Sequence, residues 1–152
     1  MRLTVIASGP PALIDEDAMS IRCPDFDAST LEAMTGDDPR QLRRFYLMFQ
    51  AVCRWQHEAL CREASKGHFE EAARCARRLK VSCFTIGALA LGHAYSRIES
   101  IASRWDGDEL GASLVDIEAQ LEYTLTNLGD IAVGIAGREM TVLRRAAVEV
   151  RP

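Results

Sequence analysis

Apolar residues recur at intervals of three and four along most of this chain, the spacing of one face of a helix. Leu42, Phe45, Phe49, Val52 or Cys53, and Leu60 mark a first long helix that runs to about Lys66. Asp37 or Asp38 caps it, and Pro39 falls in its first turn, where a missing N–H costs nothing. "KGH" breaks the chain, and from Phe69 a second series follows: Phe69, Ala72, Ala76, Leu79, Cys83 and Ile86, a narrow packing stripe. Gly87 permits a bend, and Leu91, Tyr95, Ile98 and Ala102 carry a third helix to about Trp105. "DGDEL" reads as a turn with a cap, Asp108 standing ahead of Leu110, Leu114, Ile117, Leu121, Leu125, Leu128 and Ile131 or Ala132. That near-heptad run is a fourth long helix. Upstream, Asp27 or Ser29 caps a short helix through "TLEAM", which Gly36 stops.

Four long amphipathic helices with short connections predict an all-α fold, an antiparallel up-and-down four-helix bundle with a short extra N-terminal helix. Phe45, Phe49, Leu79, Ile86, Ile98, Leu114 and Leu121 are expected to meet in its core. Residues 1–24 hold three of the five prolines and the acidic stretch "IDEDAMS", and predict an extended or partly mobile arm. The bundle is expected over residues 25–136 and a C-terminal tail over 137–152, both tails being irregular. β-branched residues cluster only at the two ends. "LTVIA" has the look of a strand, and "MTVLRRAAVEV" of either a strand or an additional helix.

Composition narrows the function without naming it. A net charge of −4 gives no overall pull toward nucleic acid or an anionic membrane, so any basic patch must be local. No apolar run approaches the roughly 20 residues that a membrane-crossing helix needs. The opening "MRLTVIASGPP" is too short in its apolar part for a signal peptide, which points to the cytoplasm. Cys23, Cys53, Cys61, Cys75 and Cys83 form no CxxC pair and read as reduced thiols that pack as small hydrophobes. No zinc pattern is visible, no glutamate lies three residues before His57, His68 or His93, and neither metal nor cofactor is expected.

One segment departs from an ordinary amphipathic helix. On a wheel at about 100° per residue, Arg77 lies about 130° from the centre of the apolar stripe of residues 69–86. Arg74 and Val81 lie nearly opposite that stripe, and Lys80 and Phe84 flank Arg77 on the nearer side. A charge run on a helix is usually only a solvated face. Here Val81 is apolar where water is expected, and no acidic residue interrupts positions 72 to 98. Arg74, Arg77, Arg78 and Lys80 around Val81 and Phe84 make a candidate docking surface for an acidic partner.

The same segment resembles the histidine-containing phosphotransfer (HPt) domains of bacterial phosphorelays. Their signature is roughly His-x-Leu-Lys-Gly-Ser with Gly-Ala further on; this chain has Arg77-Arg78-Leu79-Lys80-Val81-Ser82, then Gly87-Ala88. "TGDDPRQLRRFYLMF", "KGHFEEAARCA" and "GALALGHAYSRIESIA" resemble the family's neighbouring segments in register, so the likeness covers about residues 26 to 130. The resemblance implies the HPt type of bundle and a partner that is a response-regulator receiver domain or a histidine kinase. It also implies that Lys80 matches a lysine that helps hold phosphate. The departures carry as much meaning. Arg77 stands where the family has its phospho-accepting histidine, and a protonated guanidinium has no lone pair with which to accept phosphoryl. Val81 fills the place of a glycine that leaves room for the partner's active site.

The expectation is therefore a non-catalytic, HPt-like binding module that modulates two-component signalling. Arg77 would enter the receiver's acidic pocket or grip its phosphate. Two other readings stand beside it: a structural or oligomer-forming bundle with no receiver binding, and a phosphocarrier that uses another histidine. His57 and His93 lack the lysine three residues on, His68 lies about 180° round the helix from Arg77, and all three read as surface or boundary histidines. The partner's identity, the sign of its response and the oligomeric state are left open by the sequence.

Overall fold

The computed structural model describes residues 13–14, 21–23, 26–27, 29–36 and 38–149. Within them three very short strands precede five helices: β1 Leu13–Ile14, β2 Ile21–Cys23, β3 Phe26–Asp27, α1 Ser29–Thr35, α2 Pro39–Ser65, α3 Phe69–Ile86, α4 Leu89–Ser103 and α5 Gly107–Glu149. The chain is all-α in its architecture. None of the described helices is long and apolar enough to cross a membrane.

Local chemistry sets the helix ends. Asp38 accepts a hydrogen bond from the Arg40 backbone N–H at 2.9 Å, with Pro39 opening α2 as expected. Gly87 closes α3 in the left-handed region at φ +87°. From there its N–H reaches the Phe84 carbonyl at 3.2 Å and the Ala88 N–H reaches the Cys83 carbonyl at 2.9 Å. A side chain at Gly87 would strain that turn, which sends α4 back along α3. The start of α5 corrects the sequence reading: Asp106, rather than Asp108, accepts from the Glu109 N–H, at 3.0 Å. Asp108 already lies inside the first turn, where an acidic side chain favours the helix dipole.

Each of the four long helices packs on two others, α2 on α3 and α5, α3 on α4, and α4 on α5, closing a ring about one core. Cross-helix pairs fix their directions. Gln50 of α2 donates to the Leu125 carbonyl, Arg54 pairs with Glu122 at 2.6 Å and Arg40 with Glu139 at 3.6 Å. Rising numbers on α2 meet falling numbers on α5, so these two helices are antiparallel. The core stripes of α3, α4 and α5 follow the expected positions, with Leu79, Ile86, Ile98, Leu114 and Leu121 all buried. α1 closes one end of the ring, burying Leu31 against α2 and α3. There the Asp27 N–H donates to the Gly87 carbonyl at 2.8 Å and pins β3 to the α3–α4 turn.

Three expectations are corrected. Phe45 is exposed, not core, and Tyr46 is fully buried in its place; of the alternatives Val52 and Cys53, Cys53 is the buried one. The reason is His57. The α2 stripe is Tyr46, Phe49, Cys53, His57 and Leu60, and a reading confined to apolar residues skips His57 and loses the register. Second, the tail is not irregular, because α5 continues without a break to Glu149. Residues 137–149 hold no proline, and Arg, Glu and Ala, good helix formers, make up about half of them and extend a helix already nucleated. Third, the described part of the N-terminal arm pairs as a minimal antiparallel ladder, Leu13 with Arg22 and Cys23 with Phe26. "LTVIA" lies outside the described residues.

Candidate docking face

α3 carries its core on Ala72, Ala76, Leu79, Cys83 and Ile86, so the opposite residues form a ridge with one flank toward α2 and one toward α4. Val81 stands on that ridge, 56% exposed. On its α2 side lies a shallow groove of about 250 Å³, bounded by Phe45, Met48 and Val52 of α2, Leu31 of α1, and Val81 and Thr85 of α3. Phe45, Met48 and Val52 each leave roughly half their surface in water, and Trp55 continues the same line of α2. Thus α2 has two apolar stripes, one turned into the core and one outward. Sequence reasoning missed the second because it placed Phe45 in the first and left Val52 as an alternative to Cys53 there. The signal was present in excess: α2 carries more large apolar residues than one face can bury. Gln56 adds a polar note to the groove, its Oε1 being buried with no hydrogen-bond partner among the described residues.

The α4 flank is built differently. Glu99 of α4 reaches across and takes a hydrogen bond on each carboxylate oxygen, from Arg77 Nε at 2.7 Å and from Lys80 Nζ at 2.6 Å. Burial pushes the Glu99 carboxyl up, but the hydrogen bonds and charges of Lys80 and Arg77 outweigh it and hold the group below the usual carboxylate range. Beside this cluster Phe84 lies on Gly92, so closely that a Cβ there would come within 2.8 Å of the ring, and it meets His93 in a T-shaped pair with centroids 5.2 Å apart. Glycine at position 92 is what lets the ring seat.

The six sequence-selected residues therefore do not form one ring. Arg74, Arg77, Arg78 and Val81 are exposed on the outer side of α3, Lys80 is half-buried under Arg77, and Phe84 is turned toward α4. Arg74 pairs with Glu71 at 2.7 Å one turn away. Arg78, on the groove side one turn before Ser82, makes no ion pair with any described residue. The stretch free of acids in sequence meets Glu99 in space, and the patch keeps part of its positive charge rather than all of it.

The histidines separate as well. His57 corrects the surface reading: it is 4% exposed, with Nδ1 2.9 Å from Tyr95 Oη and Nε2 3.3 Å from Glu118 Oε2. Bridging α2, α4 and α5, it ties the core together and is closed to a partner's active site. His68 precedes α3 and pairs with Glu63 at 2.8 Å, and His93 is exposed beside Phe84. Cys53, Cys61, Cys75 and Cys83 are free, and a hydrogen bond with Cys53 together with burial pushes the Cys83 thiol up. Among the described residues no group of three His, Cys, Asp or Glu stands together to hold a metal ion.

Comparison with known proteins gives no match, whether with family models, with curated proteins or with solved structures.

Proposed function

We propose that the chain is a four-helix bundle of the HPt type that docks a response-regulator receiver domain, or the kinase that feeds it, in the cytoplasm without accepting phosphoryl. The observation that carries this reading is the surroundings of position 77. An arginine stands at the family's phospho-acceptor position, exposed on the outer side of α3 one turn before Val81, which edges the apolar groove, and within the only strongly basic stretch of α3. A guanidinium offers no nucleophile, whereas its planar fork matches carboxylates and phosphates. Val81 projects from the ridge where a glycine would admit the partner's catalytic pocket. An apolar groove on one flank of α3 and a basic cluster on the other suit a partner that has both an apolar docking helix and an acidic pocket. By occupying that partner the module changes its signalling.

The test uses a panel of purified receiver domains, with and without the phosphoryl mimic beryllofluoride, and an active histidine kinase. Binding to a receiver or kinase with no acid-labile phosphate on the chain supports the proposal. Label on the exposed His93 or His68 replaces it with a phosphocarrier. Binding to no member of the panel, with self-association of the chain, replaces it with a structural bundle.

A further inference from the structure

We infer that Glu99 is a positioning residue that presents Arg77 as a two-pronged receptor for an oxyanion, either a carboxylate or a phosphoryl group. The inference deepens the docking proposal and rests on it only for the source of the anion. Glu99 is held firmly, its side chain only 14% exposed and each carboxylate oxygen taken by a different cation. Lys80, 26% exposed, takes the second carboxylate oxygen at 2.6 Å and so holds Glu99 from its other side. Arg77 is 66% exposed and uses only its Nε toward Glu99. Because the guanidinium is planar and rigid, fixing Nε fixes the direction of the opposite edge. That edge carries the two terminal nitrogens, which make no hydrogen bond with any described residue.

The charges agree with the geometry. Two cations share one carboxylate, so the cluster keeps a net positive charge while its arginine is held in one orientation. A free arginine loses most of its rotamer freedom on gripping an anion; this one has lost part of it beforehand. Glu99 is thus an acid that helps the surface bind anions. A simple electrostatic surface would behave in the opposite way, since removing an acid from it raises the attraction for any anion.

The opposite signs make the experiment decisive. The full chain is titrated with inorganic phosphate, and separately with acetate, while the side-chain nitrogens of Arg77 are followed by ¹⁵N NMR. The parent is expected to show a saturable response at Arg77, and Glu99→Gln to weaken phosphate binding by about fivefold or more although it adds positive charge. Arg74→Ala, which removes a cation outside the cluster, is expected to change it by less than about twofold. Thermal melts show whether the isosteric Glu99→Gln variant folds as the parent does. A response to phosphate alone assigns the site to phosphoryl groups, and a response to both probes to oxyanions in general. No saturable response at Arg77 in the parent, or equal or tighter phosphate binding by folded Glu99→Gln, overturns the inference. Neither probe involves a receiver, so the two proposals fail separately. A Glu99-dependent phosphate site in a chain that binds no receiver removes the docking reading and leaves this one. Receiver binding without any phosphate response at Arg77 does the reverse.

Discussion

The two flanks of α3 are made from the same helix and finished in opposite ways. Toward α4 the chain supplies its own partners: Glu99 satisfies Arg77 and Lys80, and Gly92 makes room for Phe84. Toward α2 no described residue fills the space between Phe45, Met48, Val52 and Val81, which border a groove. The second apolar stripe on α2 adds nothing to the core, and exposed apolar patches commonly mark contact surfaces. The difference separates two jobs. The α4 flank orients charge, and the α2 flank offers the area that a partner would cover.

Four changes would break or sharpen that contrast. The largest effect is expected from Leu79→Ala, because Leu79 is fully buried beneath both flanks. It should cost about 2–5 kcal/mol of stability, read by denaturant unfolding, and should loosen both sides together. Val81→Asp comes next and acts on binding. It should weaken receiver docking by about 2 kcal/mol or more in calorimetry, with folding stability within about 0.5 kcal/mol of the parent. Phe84→Ala should show the converse, losing about 1–2 kcal/mol of stability from its half-buried ring and changing docking less than Val81→Asp does. Equal effects of the two substitutions on docking would erase the distinction between the flanks.

The smallest expected effect is that of pH. The folded Glu99 carboxyl lies below its unfolded value, so its ion pairs contribute fully at pH above the ordinary carboxylate range. That contribution is lost as pH falls from the ordinary value through the lower folded one. Glu122, lowered by its hydrogen bond from Arg54, shares the sign. Glu99→Gln should therefore flatten the acid limb of the stability profile by about 1 kcal/mol or less, as partly exposed pairs do. An unchanged limb would mean that the Glu99 cluster is not formed in solution.

How much of this was legible in the sequence depended on whether a signal was local. The stripes of α3 and α5 could be read position by position, since each apolar residue predicts its neighbour three or four places on and both helices present one face to the core. The end of α3 was legible for the same reason, Gly87 being a local stop. α2 was misread where it mixes a polar residue into its core: without His57 the choice between Phe45 and Tyr46 has no local answer. What makes His57 fit is Tyr95, far along the chain. The candidate face followed the same rule. The exposure of Arg74, Arg77, Arg78 and Val81 came from the helical wheel alone. The capture of Arg77 and Lys80 by Glu99, and the seating of Phe84 on Gly92, required knowing that α4 folds back beside α3.

The central claim is that the outer face of α3 holds a receiver domain through Arg77. Its most direct test is titration calorimetry of the parent and of Arg77→Glu against a receiver domain that the parent binds, beside thermal melts of both. The account predicts an unchanged melt and a loss of about 2 kcal/mol or more in binding free energy. An Arg77→Glu variant that folds like the parent and binds as tightly would contradict it.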